Sequence, residues 1–255
     1  MIPLKDNIPT NRFPFVTVGL ILANIVVYLL AIRHGGSLIS GPDEFEVVKY
    51  GAIPKVLTHC LTHTEVVSAQ QGTVACVHGS APGGIPAWQT VFTAMFMHAS
   101  ILHIGGNMLF LWIFGKNVED AMGPVKYFFF YILGGIAALA LQVAVGPNST
   151  DPTLGASGAI AAVLGGYIVL YPRARVLTFV FIILFFTVIE LPAVVMLGVW
   201  FAQQALFGAF DLTNPGGGGG GVAYFAHVGG FAFGLLTIRR LATRRRAVPP
   251  RLPVG

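Results

Sequence analysis

Apolar residues occupy this chain in long blocks, separated by short polar clusters. A helix crosses the bilayer core with roughly 17–25 apolar residues. Blocks of that kind lie at 13–32, 90–114, 127–145, 155–171, within 176–210, and at 222–238. The fifth region is too long for one span and is interrupted by Glu190 and Pro192, which places its helix at about 188–210. The preceding stretch, 177–187, reads as a connector dipping into the bilayer or as an extension of a tilted helix. The first block exceeds a typical signal-peptide core and lacks a small-residue cleavage site before Arg33, so it reads as a retained span. The pattern predicts an all-α membrane protein with six transmembrane helices. Its outward segments are a long loop over 33–89, the turn "GPNSTDPTL" (146–154), and a loop carrying "NPGGGGGG" (214–221).

Composition removes the soluble alternatives. Hydrophobic residues make up 55% of the chain and charged residues 10%, against about 25% charged in an average globular domain. So few charges cannot cover a water-facing surface. Their placement sets an orientation. With the N-terminus inside, the inner segments hold Lys5, Arg12, Lys116, Lys126, Arg173, Arg175, Arg239, Arg240, Arg244, Arg245, Arg246 and Arg251. The outer loops hold only Arg33, Lys49 and Lys55. Twelve against three puts both termini inside by the positive-inside rule. The run "RRLATRRR" (239–246) then reads as a juxtamembrane anchor against anionic lipid, not as a nucleic-acid site.

Polar groups inside a membrane are costly, so each is a candidate for function. The second block contains His98, His103 and Asn107, the fourth begins near Ser157, and the sixth contains His227. All three blocks run from outside to inside, and at about 1.5 Å per residue these groups share the outer half of the bilayer. His103 and Asn107 are four apart and lie on one helical face. On a continuous helix, His98 is rotated by about 140° from His103 and braces the outer loop or the helix neck. Gly155, Ala156, Gly158, Ala159 and Ala162 leave room for a close neighbour, and Gly230 with Gly234 forms a G-x-x-x-G that permits one. Packing of these two helices would bring Ser157 within reach of His227, a serine beside a base. His103, Asn107 and the first-turn N–H groups would supply oxyanion donors. Asp211 belongs to an outer loop and Glu190 to the inner side, so the expectation is a Ser–His dyad without a carboxylate.

"H-x4-H-x3-N" in the second block, "GASG" in the fourth and "AHVGG" in the sixth resemble the rhomboid intramembrane serine proteases, from about residue 90 to 240. The resemblance implies Ser157 as nucleophile, His227 as general base and acid, and His103 with Asn107 as oxyanion stabilisers. It gives His98 a supporting role, sets Gly155 beside the nucleophile, and makes Trp200 and Phe201 candidate gate aromatics on the fifth helix. The chain departs from many bacterial relatives at Trp88-Gln89, where they carry Trp-Arg, and in its hexaglycine stretch. The implied division is a cytoplasmic segment (1–12), a six-helix rhomboid-like membrane domain (13–240) and a basic tail (241–255). The expected activity is cleavage of transmembrane substrate proteins near the outer face of a bacterial cytoplasmic membrane, with neither cofactor nor metal. The alternative is a non-catalytic rhomboid-like protein that binds client transmembrane helices. Cys60 and Cys76 both fall in the outer loop, where they form a disulfide or, with His59, His63 and His78, a zinc site.

Overall fold

The computed structural model describes residues 1–59, 64–67, 75–78, 85–182, 185–213 and 222–243. A strand β1 (Ile2–Asp6) leads into helix α1 (Phe15–Ala31). Short helices α2 (Glu44–Tyr50) and α3 (Pro54–His59) and a hairpin of β2 (Thr64–Val67) and β3 (Ala75–His78) follow. Helix α4 (Ala87–Thr93) is followed by α5 (Ile101–Phe110), which continues through a π-helical turn (Leu111–Gly115) into α6 (Lys116–Met122). Helices α7 (Pro124–Val145) and α8 (Ser157–Leu170), strands β4 (Arg175–Ile182) and β5 (Phe185–Pro192), and helices α9 (Ala193–Thr213) and α10 (Tyr224–Leu241) complete the chain.

The protein is mostly helical and crosses the membrane several times. Helices α1, α7 and α9 are each long and apolar enough to span, and Ala87–Phe96 with Ile101–Met122 makes a fourth candidate bent by 77°. Helix α1 shows how the bundle sorts its residues. Thr17, Leu20, Asn24, Tyr28 and Ala31 form its buried stripe, while Phe15, Leu22, Val26 and Leu30 are exposed. The polar side chains face protein and the apolar ones face outward, the reverse of a water-soluble helix. Helix α8 differs, since every residue from Gly158 to Tyr167 is buried. At about 1.5 Å per residue its 14 residues reach only about 21 Å, and it runs through the centre of the bundle, enclosed by α7, α10 and the α5–α6 helix.

Close backbone approach holds α10 on α8. A Cβ added to Gly230 would collide with the Gly158 carbonyl oxygen, and one at Gly234 with that of Ala162. The G-x-x-x-G pair therefore sits at the contact that its spacing suggested. On the other flank of α8, an added Cβ at Gly158 would come within 2.7 Å of the Ala138 Cβ on α7.

Two features differ from the sequence expectation. Residues 175–192 are not a helical extension, and α9 starts at Ala193 instead of about 188. They form a hairpin joined to β1 in the sheet order β1-β4-β5, with Leu177 opposite Glu190 and Asp6 opposite Val176. The run is rich in Val, Ile, Thr and Phe, which suit a pleated strand, and hydropathy alone does not separate such a run from a helix. Pro192 closes the strand just before α9. The fold is thus helical with a small sheet, not all-α. The second feature is the break at 97–100, which ends the idea of a continuous helix over 90–114. Ser100 caps the new helix by accepting from the His103 N–H at 3.2 Å.

The end of the bundle away from Ser157 is fastened by buried polar groups. Glu119 caps α1 from a distance, accepting from Val16 N–H (3.0 Å), Thr17 N–H (2.8 Å) and Thr17 Oγ1 (2.7 Å). These are first-turn N–H groups that the helix itself cannot satisfy. Asp6 of β1 accepts from Asn117 Nδ2 and from Tyr167 Oη at 2.7 Å, and pairs with Lys116 Nζ at 3.5 Å. Removing this carboxylate strands three donors. Asp6→Ala is expected to lower stability by about 3 kcal/mol, read as thermal unfolding in detergent, whereas the exposed Lys5→Ala leaves it unchanged. Equal effects from the two would contradict this assignment.

Candidate active site

Ser157 is the first residue of α8, and no side chain caps that helix. Ile160 is the first residue whose N–H bonds back, to Ala156 O at 2.9 Å. The N–H groups of the first turn therefore point out of the helix end without intrahelical acceptors, and the positive end of the dipole faces the same way. His227 lies in the first turn of α10, where the N–H of the preceding Ala226 donates to Gln142 Oε1 of α7 at 3.1 Å. The approach of α10 to α8 brings His227 Nε2 to 2.8 Å from Ser157 Oγ. A hydroxyl at that distance donates to an unprotonated ring nitrogen.

Gly155 and His103 shape the space beside this pair. Gly155 has φ +116°, a conformation rare for any residue with a side chain. A Cβ there would meet His103 Nε2 at 2.8 Å and Ser157 Oγ at 3.6 Å, so only glycine lets the imidazole approach the serine loop. The Gly155 N–H is occupied, donating to Ala94 O at 2.8 Å. The Ala99 N–H donates to His103 Nδ1 at 3.4 Å. With Nδ1 accepting, the neutral ring carries its proton on Nε2, the nitrogen turned toward Gly155. Asn107, one turn further along α5, is buried, and its Nδ2 has no hydrogen-bond partner among the described residues. A buried amide without a partner carries a desolvation cost that a ligand oxygen would relieve.

These groups line a cavity of about 630 Å³ shared by His103, Asn107, Gly155, Ser157, Trp200 and His227. Its walls include Met95, Phe110 and Leu102, so a small polar centre sits within an apolar cleft. His98 lies in the break between α4 and α5, not on a helical face. It is fully buried, shares a hydrogen bond with Phe96 O through Nδ1 at 3.2 Å, and sets its ring edge-on to that of His103 at 5.1 Å. The two candidate gate aromatics part company. Trp200 lines the cavity with its ring 5.7 Å from that of His227, while Phe201 stacks on Phe231 at 4.5 Å and does not line it.

Trp88 is exposed. Cys60, His63 and the glycines at 216–221 lie outside the described residues, as do the side chains of Cys76 and His78, and so do the disulfide and its zinc alternative. His59 is described, with Nδ1 2.8 Å from Thr58 Oγ1.

The sequence reading missed Gln204. Its Oε1 lies 2.7 Å from His227 Nδ1, and the residue is buried on α9 one turn beyond Trp200. A signal was present, because Gln203-Gln204 is an amide pair in the middle of α9, whose other polar residues, Asp211 and Thr213, belong to its last turn. A neutral amide carries no charge to mark it as the third group beside a histidine, as a carboxylate would.

A bent, polar-lined second helix, a buried central helix headed by serine and a glycine-packed helix bearing histidine make up this membrane protein, and the chain belongs to the rhomboid family. Residues 86–244 match the Rhomboid domain. The chain is 33% identical over 156 residues to "Rhomboid protein 1, mitochondrial" of Saccharomyces cerevisiae, covering 58% of this chain and 40% of that protein. It is 39% identical over 75 residues to "Rhomboid-like protein 11, chloroplastic" of Arabidopsis thaliana, covering 29% and 26% respectively. It is 29% identical over 123 residues to the human "Presenilin-associated rhomboid-like protein, mitochondrial", covering 47% and 31%. Less than half of each relative's length is matched. Their names place them in mitochondria or chloroplasts, whereas the sequence pointed to a bacterial cell membrane.

The left-handed backbone and the crowding at Gly155 make a local prediction. Gly155→Ala is expected to lower stability by about 2 kcal/mol, read as thermal unfolding in detergent. Gly105→Ala, where a Cβ would meet nothing within 4 Å, should be neutral. A neutral Gly155→Ala would show that His103 is free to move away.

Proposed function

We propose that this protein is a serine endopeptidase that cleaves transmembrane substrate proteins within the bilayer. The observation that carries this reading is the 2.8 Å contact between Ser157 Oγ and His227 Nε2 at the uncapped head of α8. In the reaction, His227 Nε2 takes the hydroxyl proton as Oγ attacks the scissile carbonyl carbon. The carbonyl oxygen becomes an oxyanion, which accepts from Asn107 Nδ2, His103 Nε2–H and the first-turn N–H groups of α8. His227 passes its proton to the leaving amine, and an acyl group remains on Ser157. A water then attacks the acyl carbon, giving its proton to His227, and Oγ recovers a proton as the acid product leaves. His98 supports His103 from the helix break, and Trp200 closes the cavity on the α9 side. Neither metal nor cofactor has a step in this scheme.

The six apolar blocks form the membrane domain over 13–240, with segments 1–12 and 241–255 on the inner face. The basic residues favour both termini inside, which turns Ser157 toward the extracytoplasmic side, where water reaches it from a shallow depth. In a bacterial cell this is the cytoplasmic membrane. A helical substrate hides its carbonyls in its own hydrogen bonds, so the cleaved bond lies where the substrate helix is broken or rich in small residues. A protein that only bound client helices would need neither the Ser157–His227 contact nor an unpartnered Asn107 amide.

Cleavage of a reporter transmembrane protein in proteoliposomes tests the reading. Ser157→Ala and His227→Ala are expected to abolish it, and Asn107→Ala to lower kcat by about 100-fold with a small change in KM. Undiminished cleavage by Ser157→Ala would remove the mechanism.

A further inference from the structure

We infer that Gln204 fixes the tautomer and direction of the His227 ring, so that the base facing Ser157 is held by a third residue from α9. The inference rests on the proteolytic reading above and assigns Gln204 as a positioning residue, acting through His227.

A neutral imidazole has one N–H and one lone pair, and only one of its tautomers can act as a base toward Ser157. Nε2 lies 2.8 Å from Ser157 Oγ and Nδ1 lies 2.7 Å from Gln204 Oε1. When Nδ1–H donates to Oε1, the lone pair falls on Nε2 and faces the hydroxyl. With the amide reversed, its NH₂ would donate to Nδ1, the ring proton would move to Nε2, and the base would be lost. Gln204 thus selects between a competent and an incompetent ring. It also aims the ring, together with Trp200, which lies tilted against it from the same helix.

The residue type suits its place. Helix α9 exposes Val194, Val195, Val199, Leu206, Phe207 and Phe210 and is long and apolar enough to span. A carboxylate buried there would carry the desolvation cost of a full charge, whereas an amide oxygen accepts the same hydrogen bond as a dipole. The elements around His227 present Ser157 from α8, His103 from α5, and Trp200 and Gln204 from α9. Among the described residues, no carboxylate bonds to the ring. The Gln204 dipole is therefore the group that steadies the imidazolium as it forms. His103 is the other titratable side chain facing it.

The test uses the full chain in proteoliposomes and a fluorogenic transmembrane peptide, with kcat and KM followed against pH. Gln204→Met keeps the volume and removes the acceptor. It is expected to lower kcat by about tenfold or more, leaving KM and the unfolding temperature near wild type. Gln204→Glu restores an acceptor oxygen at the same reach and is expected to recover kcat about tenfold over Gln204→Met. Nitrogen NMR of His227 in the wild-type protein should show the proton on Nδ1. A Met variant with wild-type kcat, a Glu variant no more active than the Met variant, or a wild-type ring protonated on Nε2 overturns the inference. If Gln204→Met unfolds, the wild-type tautomer decides alone. Wild-type protein that neither cleaves the peptide nor labels at Ser157 would instead defeat the proteolytic reading.

Discussion

The contact between α8 and α10 at Gly158, Ala162, Gly230 and Gly234 is the constraint on which the site depends. Lipid gives helices little hydrophobic reason to associate, so close packing and missing side chains must do it. Here backbone meets backbone: the places where a Cβ of Gly230 or Gly234 would stand are taken by carbonyl oxygens of α8. That separation brings a histidine in the first turn of one helix to 2.8 Å from a serine at the head of the other. A larger residue anywhere along the seam would part the pair before it disturbed either helix by itself. The Ser157–His227 geometry is in this sense a property of the glycines.

Helix α8 divides its polar duties between its two ends. The head is uncapped, half-exposed and open to a cavity, which the Asn107 amide and the His103 ring line beside Ser157. The far end is closed by Tyr167, whose hydroxyl donates to Asp6, and by the same carboxylate's bonds to Asn117 and Lys116. One end has donors held in reserve, and the other has donors fully engaged. That contrast separates an end open to a ligand from a structural one in a helix whose middle is wholly apolar.

Much of this was legible in the chain because polar residues are conspicuous in apolar blocks. Ser157, His227, His103 and Asn107 stood out for that reason, and the spacing of Gly230 and Gly234 announced a close helix pair. Three features were not legible. The run before Pro192 carries β-branched and aromatic residues at a hydropathy that a membrane helix shares, and only its folding back on itself as a hairpin, joined by Ile2–Asp6, shows it to be sheet. The break at 97–100 lies inside an apolar block, where hydropathy is blind to a cap such as Ser100. Gln204 is uncharged, and a search for charges passes over it. The geometry that matters there is a single amide oxygen facing Nδ1 across a helix interface.

The central claim is that the bundle makes Ser157 nucleophilic by presenting His227 to it. Mapping the covalent adduct of a fluorophosphonate probe by mass spectrometry tests this without any knowledge of the natural substrate. The account predicts one adduct, on Ser157, formed by the wild-type protein and absent from His227→Ala, with the Gly155–Ser157 peptide carrying the full mass increment. An adduct on another serine, or undiminished labelling of Ser157 in His227→Ala, would contradict it.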